Sequence, residues 1–316
     1  SYNTAIGKSA LILNTTASSN TAVGYESLKA NTTGAENVAI GANALDANTS
    51  GVSNVAVGQG SLDSNTTANN NTAVGHDSMK SNTTGAENTA VGKVALNANT
   101  TADYNTAMGR SALNLNTTGT RNVAVGALAL DSNTTANNNT AIGYDSLTAN
   151  TTGSGHTAVG RAALAGNTTG SLNTAIGAQA LQANTTGSDN VVVGAVAGDA
   201  LTTGSDNVVV GKNALSADTT GRRSVAIGRS ALSAQNFTST TSSYNVAVGY
   251  EAGGAVTTGY NNTLIGGLSG DSITTGHSNT TMGVSSLGIN TTGIYNTALG
   301  ISALQSNTTA SNNTAV

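Results

Sequence analysis

The amino-acid sequence predicts an all-β chain folded as a parallel β-solenoid, or β-roll, with one 17-residue repeat per turn. Three observations lead to this prediction. A fixed period runs through the whole sequence, an aliphatic residue or Met occupies one place in every copy, and a glycine follows it directly. A short period of this kind is typical of repeat architectures, in which each copy stacks on its neighbours.

The repeat is clearest where successive copies open with asparagine, as at Asn20, Asn37 and Asn54. We number the repeat from this residue, so that Asn37 is position 1 and Ser53 is position 17. The sequence holds 18 full copies and a fragment, with four extra residues near 235–244. We therefore predict a single solenoid domain over residues 1–316 with a loop insertion near 235–244, and we interpret the chain as part of a longer fibre.

The strand of each turn is expected at positions 2 to 4, which read Thr or Val, then usually Ala, then an aliphatic residue or Met. β-Branched residues at alternate places favour a strand. Neither face of this strand is strongly polar, whereas a sheet with one wet face alternates apolar and polar residues. We therefore predict burial on both sides, by the chain's own interior and by sister chains, in a homotrimer of solenoids. The predicted core or subunit-interface residues are Val23, Ile40, Val57, Val74, Val91, Val125, Ile142, Val193 and Val210.

Two further positions predict how the interior is filled. Position 9 is usually Leu, but where it becomes Gly, as at Gly198, position 12 becomes aliphatic, as at Leu201. Because well-packed cores tolerate volume-preserving exchanges best, positions 9 and 12 are expected to share one interior volume. A second short strand near positions 8 to 10 and a third near positions 12 to 14 would fit this arrangement.

Stacked turns place like residues above one another at about 4.8 Å. Asparagines at positions 1 and 12 are therefore expected to form hydrogen-bonded ladders, as in other stacked β arrays. Many position-12 asparagines also begin an N-x-S/T sequence, so glycosylation is the alternative interpretation of that pattern. The predicted ladder residues are Asn20, Asn37, Asn54, Asn31, Asn48 and Asn65.

Composition and residue spacing argue against several functions. Charged residues make up 8% of the chain and its net charge is -4, so no basic surface for nucleic acid is expected. No apolar run approaches the roughly 20 residues needed to span a membrane. The chain has no Cys, and its three histidines, His76, His156 and His277, occupy different repeat positions. We therefore expect no catalytic residue, no metal site, no cofactor and no enzymatic activity.

The segment from Ser224 to Leu232, SVAIGRSAL, closely resembles the head repeat of trimeric autotransporter adhesins of the YadA type. The fuller pattern, from Asn20 to Leu28 followed by Asn31 to Gly34, resembles repeats of phage and phage-like tail fibres. The resemblance covers the whole chain and implies a trimeric triple β-solenoid that serves in attachment. The adhesin repeat is shorter and lacks the N-T-T-G segment, so a larger cross-section is expected here.

These observations predict a structural shaft or adhesive segment of an extracellular or virion fibre that mediates attachment to a surface or host. Its expected location is extracellular, on a cell surface or on a virion. The expected partners are copies of the same chain and a cell-surface carbohydrate or protein receptor, whose binding residues the sequence does not identify. Two alternatives stay open: a glycosylated extracellular filament, and an ice-binding β-solenoid with regular threonine columns.

Overall fold

The computed structural model describes residues 2–316, which are all-β and form a parallel β-solenoid with a repeat of roughly 17 residues. Each copy contributes one short strand at positions 2 to 4, and turns and bends complete the turn. The chain divides into two compact units, Ser1–Gly155 and His156–Val316.

The first unit contains nine strands over its described residues, all paired in parallel with the next strand of the unit. The pairing is in register, so Ala22 lies opposite Ala39 and Val23 opposite Ile40. The strands are β1 Thr4–Ile6, β2 Thr21–Val23, β3 Val38–Ile40, β4 Val55–Val57, β5 Thr72–Val74, β6 Thr89–Val91, β7 Thr106–Met108, β8 Val123–Val125 and β9 Thr140–Ile142.

The second unit, described in full, contains ten strands with the same parallel, in-register pairing. Across the insertion, Val225 of one strand pairs with Val246 of the next, so the extra residues leave the sheet unbroken. The strands are β10 Thr157–Val159, β11 Thr174–Ile176, β12 Val191–Val193, β13 Val208–Val210, β14 Val225–Ile227, β15 Val246–Val248, β16 Thr263–Ile265, β17 Thr280–Met282, β18 Thr297–Leu299 and β19 Thr314–Ala315.

The interior of each unit is filled from positions 3 and 9. Ala22 and Leu28 are fully buried, and their counterparts in the other turns are mostly buried as well. As the sequence predicted, positions 9 and 12 share one interior volume. A Cβ added to Gly270 would lie 2.8 Å from Cδ1 of Ile273, three residues on.

The additional strands expected near positions 8 to 10 and 12 to 14 are wrong, because these segments form turns and bends. Positions 7 and 9 adopt left-handed backbone conformations, with φ of +55° at Glu26 and +49° at Leu28. An extended strand cannot contain residues in this conformation. Position 17 is also left-handed, as at Glu36 with φ of +60°, so each turn changes direction sharply at several points.

Two separate constraints explain the glycine at position 5. The φ of Gly92 is +138°, and a Cβ added there would lie only 2.5 Å from the carbonyl oxygen of Gly109 in the next turn. The positive φ disfavours any residue other than glycine. The short distance to the next turn means that a side chain here would prevent the turns from stacking closely.

Replacing Gly92 by Ala is therefore expected to destabilise the first unit by about 4 kcal/mol or more, since backbone strain and steric overlap act together. Gly300→Ala is the matched control, because its φ of +119° is also unfavourable but an added Cβ meets no atom within 4 Å. Its expected cost is only about 1–2 kcal/mol. Urea unfolding of both variants measures the difference, and equal losses would contradict the steric explanation.

Candidate assembly surface and asparagine columns

The side chains at positions 2 and 4 of the strands point away from the interior and form a continuous surface along each unit, which we call the outer strip. Position 3 between them is buried, so the strand alternates outward and inward as a β-strand must. Ile40 is 41% exposed, Ile142 40% and Val210 37%. Val23, Val57, Val74, Val91, Val125 and Val193 are partly exposed.

The nine residues predicted as core or subunit interface therefore all lie on the outer strip, outside the interior of their own unit. The interior side of the strand is filled by position 3 instead, because the narrow turn leaves room there mainly for Ala. That these nine residues form a subunit interface stays a prediction.

The outer strip carries only Thr and aliphatic or Met side chains, with no charged residue at either position. In β12 and β13 both positions are Val, and Val191 and Val208 are 42% and 38% exposed. Contiguous apolar surface of this kind is uncommon on monomeric proteins and marks contact sites. The outer strip is therefore the surface best suited to contact another apolar surface.

Position-1 asparagines link successive turns through both ends of the side-chain amide. Oδ1 of Asn20 accepts the backbone N–H of Asn37 at 2.9 Å, and Oδ1 of Asn37 accepts that of Asn54 at 2.9 Å. Nδ2 of Asn37 donates to the carbonyl of Gly51 at 2.8 Å. Each of these three asparagines is fully buried, so their hydrogen bonds are made in the absence of solvent.

Position-12 asparagines form a second column in which the amides bond directly to one another. Nδ2 of Asn48 donates to Oδ1 of Asn31 at 2.8 Å, and Nδ2 of Asn65 donates to Oδ1 of Asn48 at 3.0 Å. Nδ2 of Asn48 also donates to the carbonyl of Gly51 at 3.1 Å. The position-15 carbonyl of Gly51 thus accepts donors from both columns and joins them.

His156 replaces asparagine at position 1 and preserves the same hydrogen-bonding pattern. Nε2 lies 2.7 Å from the carbonyl of Gly170, and Nδ1 lies 3.2 Å from the backbone N–H of Asn173. The neutral imidazole with its proton on Nε2 therefore donates and accepts where an asparagine would. Burial lowers the pKa of His156, against the opposing effect of these two hydrogen bonds.

Near the insertion, a network of other side chains replaces both columns. Nε2 of Gln235 donates to Oδ2 of Asp218 at 2.6 Å and to the hydroxyl of Ser224 at 2.8 Å, and its Oε1 accepts Nδ2 of Asn245 at 2.8 Å. Oδ1 of Asp218 accepts backbone N–H groups from Gly221 and Phe237. The longer glutamine side chain thus connects the two columns, and Phe237 is buried rather than displayed on the loop.

The position-12 asparagines that begin N-x-S/T sequences are poor acceptors for a glycan in the folded chain. Asn31, Asn48 and Asn65 are 0% exposed, and Nδ2 of each donates two hydrogen bonds. Attachment to these nitrogens would disrupt the position-12 column. Exposed sequons do exist at position 17, where Asn70 and Asn138 precede an Asn and a Thr.

No protein-family model matches this chain, and no curated protein matches it either. The resemblance to adhesin and tail-fibre repeats therefore stays a prediction. Within residues 2–316, no three His, Asp or Glu side chains are grouped so that they could hold a metal ion. The described residues include no helix with the length and apolar character required to cross a membrane.

Asn48→Asp is expected to lower the stability of the first unit by roughly 3–5 kcal/mol, as expected when a buried charge loses its partners. The carboxylate would face Oδ1 of Asn31 and the carbonyl of Gly51, which are both acceptors. Thr84→Asp, at an exposed position, is the control and should change stability by less than about 0.5 kcal/mol. Urea denaturation at pH 7 gives both values, and a small loss for Asn48→Asp would refute the column as a stabilising feature.

Stability of the second unit is expected to fall as the pH drops below about 6.5, the ordinary pKa of histidine. Because the fold keeps His156 neutral, the unfolded chain binds more protons, and stability is lost between pH 6.5 and the lowered folded pKa. His156→Asn should remove this dependence, since asparagine occupies position 1 in most turns. Urea midpoints measured from pH 5 to 8 test this, with the partly exposed His277→Asn as control. An unchanged pH profile in His156→Asn would contradict it.

Proposed function

We propose that this chain is a structural shaft or adhesive segment of an extracellular or virion fibre, built from solenoids that associate through their outer strips into a homotrimer. The observation that carries the proposal is the outer strip itself, an uncharged and partly exposed apolar surface on each unit. Complete burial of a fully exposed Val or Ile side chain contributes about 1.5–3 kcal/mol. Ile40, Ile142 and Val210 are 41%, 40% and 37% exposed, so each would contribute a fraction of this amount. Repetition of this contact along each unit would make association strong.

A structural role agrees with how each turn is built. Each strand pairs with its neighbours in the same unit, so successive turns are joined by backbone hydrogen bonds and by the asparagine columns. The resemblance to attachment-fibre repeats points in the same direction. A non-enzymatic role is part of this proposal.

The hydrogen bonding of the threonines weighs against the ice-binding alternative. At position 13, the hydroxyl of Thr32 donates to the carbonyl of Thr49 at 3.0 Å, so this hydroxyl is used within the fold. Position 14, as at Thr33, provides one exposed threonine column. Position 2 of the outer strip mixes Thr with Val. A regular face of paired threonine columns is therefore missing from the described residues.

Sedimentation equilibrium of the 316-residue chain tests the proposal, and the expected mass is three times 30.8 kDa. Val91→Lys on the outer strip should dissociate the assembly, because association would bury an unpaired ammonium group. Thr84→Lys, at an exposed position outside the outer strip, should leave the mass unchanged. A wild-type chain that is folded and monomeric at micromolar concentration would contradict the proposal.

A further inference from the structure

A surface groove in the second unit lies at the corner formed by positions 7 to 11 of successive turns. It encloses about 470 Å³ and is lined by Ser230, Ser233, Ala234, Glu251, Gly254, Ala255 and Asp271. Its size falls within the range of small-molecule binding sites. The groove exists because Gly254 and Ser233 hold position 10 in consecutive turns, where most other turns carry a longer side chain.

A corner in the first unit has the same arrangement with one difference. Tyr25, Glu26 and Lys29 occupy positions 6, 7 and 10, and Asp46 holds position 10 of the next turn. Nζ of Lys29 lies 3.1 Å from Oε2 of Glu26. The pKa of Lys29 is raised, first by its hydrogen bond to Glu26 and then by the charge of Asp46. The ammonium of Lys29 thus pairs with Glu26, and its charge also acts on Asp46 without an ion pair.

The groove has the same residue types as this corner at the equivalent positions, except that the lysine is absent. Tyr250 and Glu251 stand at positions 6 and 7, Asp271 at position 10 of the next turn, and Gly254 where Lys29 would be. Even the cation above the tyrosine recurs, since Arg229 lies 5.9 Å from the ring centre of Tyr250 and Lys8 lies 5.8 Å from that of Tyr25. The hydroxyl of Tyr250 bonds to Glu251, which raises the tyrosine pKa, as at Tyr25.

The two carboxylates of the groove, Glu251 and Asp271, have no lysine ammonium beside them like the one at the corner in the first unit. Among the described residues, neither Glu251 nor Asp271 forms an ion pair. Burial raises the pKa of Asp271 and the charge of Glu251 raises it further, opposed only by a hydrogen bond to its own backbone, whereas at Asp46 the positive charge of Lys29 opposes the effect of burial. The hydroxyls of Ser230 and Ser233 add hydrogen-bond acceptors to the groove wall.

We propose that this groove binds a primary alkylammonium group, which takes the place that the ammonium of Lys29 occupies in the first unit. The ligand is either a lysine side chain of another protein or a free polyamine, because both carry the same group. The inference depends on this corner alone and not on how the chains assemble.

Titration with n-butylammonium, followed by the backbone amide NMR signals of Gly254 and Ala255, tests the proposal. Binding is expected at these residues, and Glu251→Gln or Asp271→Asn should each weaken it roughly two- to fivefold, the range of an exposed ion pair. Asp199→Asn, at position 10 of another turn, is the matched control and should leave the affinity unchanged. Neutral n-butanol should not bind.

A reciprocal pair of variants makes the test specific. Gly254→Lys should abolish binding, because its own ammonium would fill the groove, and an added Cβ there lies no closer than 3.2 Å to the carbonyl oxygen of Glu251. Lys29→Gly should create a second site in the first unit. No detectable binding to the wild type, equal binding of n-butanol, or unchanged binding by Gly254→Lys would overturn the proposal. A lysine-containing peptide and spermidine, compared under the same conditions, distinguish the two sources.

Discussion

The fold depends on how the polar backbone of a narrow turn is satisfied. Strand hydrogen bonds cover only the few residues of each copy that pair with adjacent turns, while most of the 17 lie in turns and bends. A buried backbone group without a partner costs about as much as a lost hydrogen bond. Backbone bonds between adjacent turns satisfy many of these groups, such as the N–H of Leu28, which donates to the carbonyl of Ala44 at 3.0 Å. The asparagine columns satisfy others, because the amides of Asn37 and Asn48 both donate to the carbonyl of Gly51, and Oδ1 of Asn37 accepts a backbone N–H of the next turn.

The same constraint explains the substitutions that the columns accept. His156 keeps one donor and one acceptor in the places of the asparagine amide. Gln235 and Asp218 replace asparagine where the insertion separates two turns, and together they restore the connection between the columns. Leu201 replaces it where Gly198 leaves an interior volume that an aliphatic side chain fills, with Cδ1 of Leu201 only 3.3 Å from a Cβ added to Gly198. The residue at position 12 is therefore selected either for its hydrogen bonds or for how well it packs in the interior.

Sequence periodicity was sufficient to predict the solenoid, the strand at positions 2 to 4 and the volume shared by positions 9 and 12. It did not predict the left-handed conformation of Leu28, because leucine gives no sign of a positive φ, and extra strands were expected in its place. Alternation along β3 was also insufficient to decide whether Ile40 faces the interior, since Ala39 is equally apolar. No sequence motif marks the groove at Gly254, which becomes evident only when its residues are compared with those of the corner at Lys29.

The outer strip and the groove show how a regular repeat acquires specific surfaces. The strip follows from the period itself, since each turn contributes the same two outward positions. The groove follows from a local difference, in which Gly254 at position 10 leaves two carboxylates without the lysine that the corner at Lys29 carries. We propose that the solenoid associates through the strip that all turns share and binds a ligand through the groove that one turn forms.

Hydrogen–deuterium exchange of backbone amides, resolved by residue, tests the role of the asparagine columns most directly. The N–H groups of Asn37, Asn54 and Asn71 are bonded only to side-chain oxygens of the preceding turn, not to a strand partner. If the columns hold the turns together, these amides are protected as strongly as the strand amides of Ala39 and Ala56. Exchange at the rate of an unstructured amide would contradict the central claim.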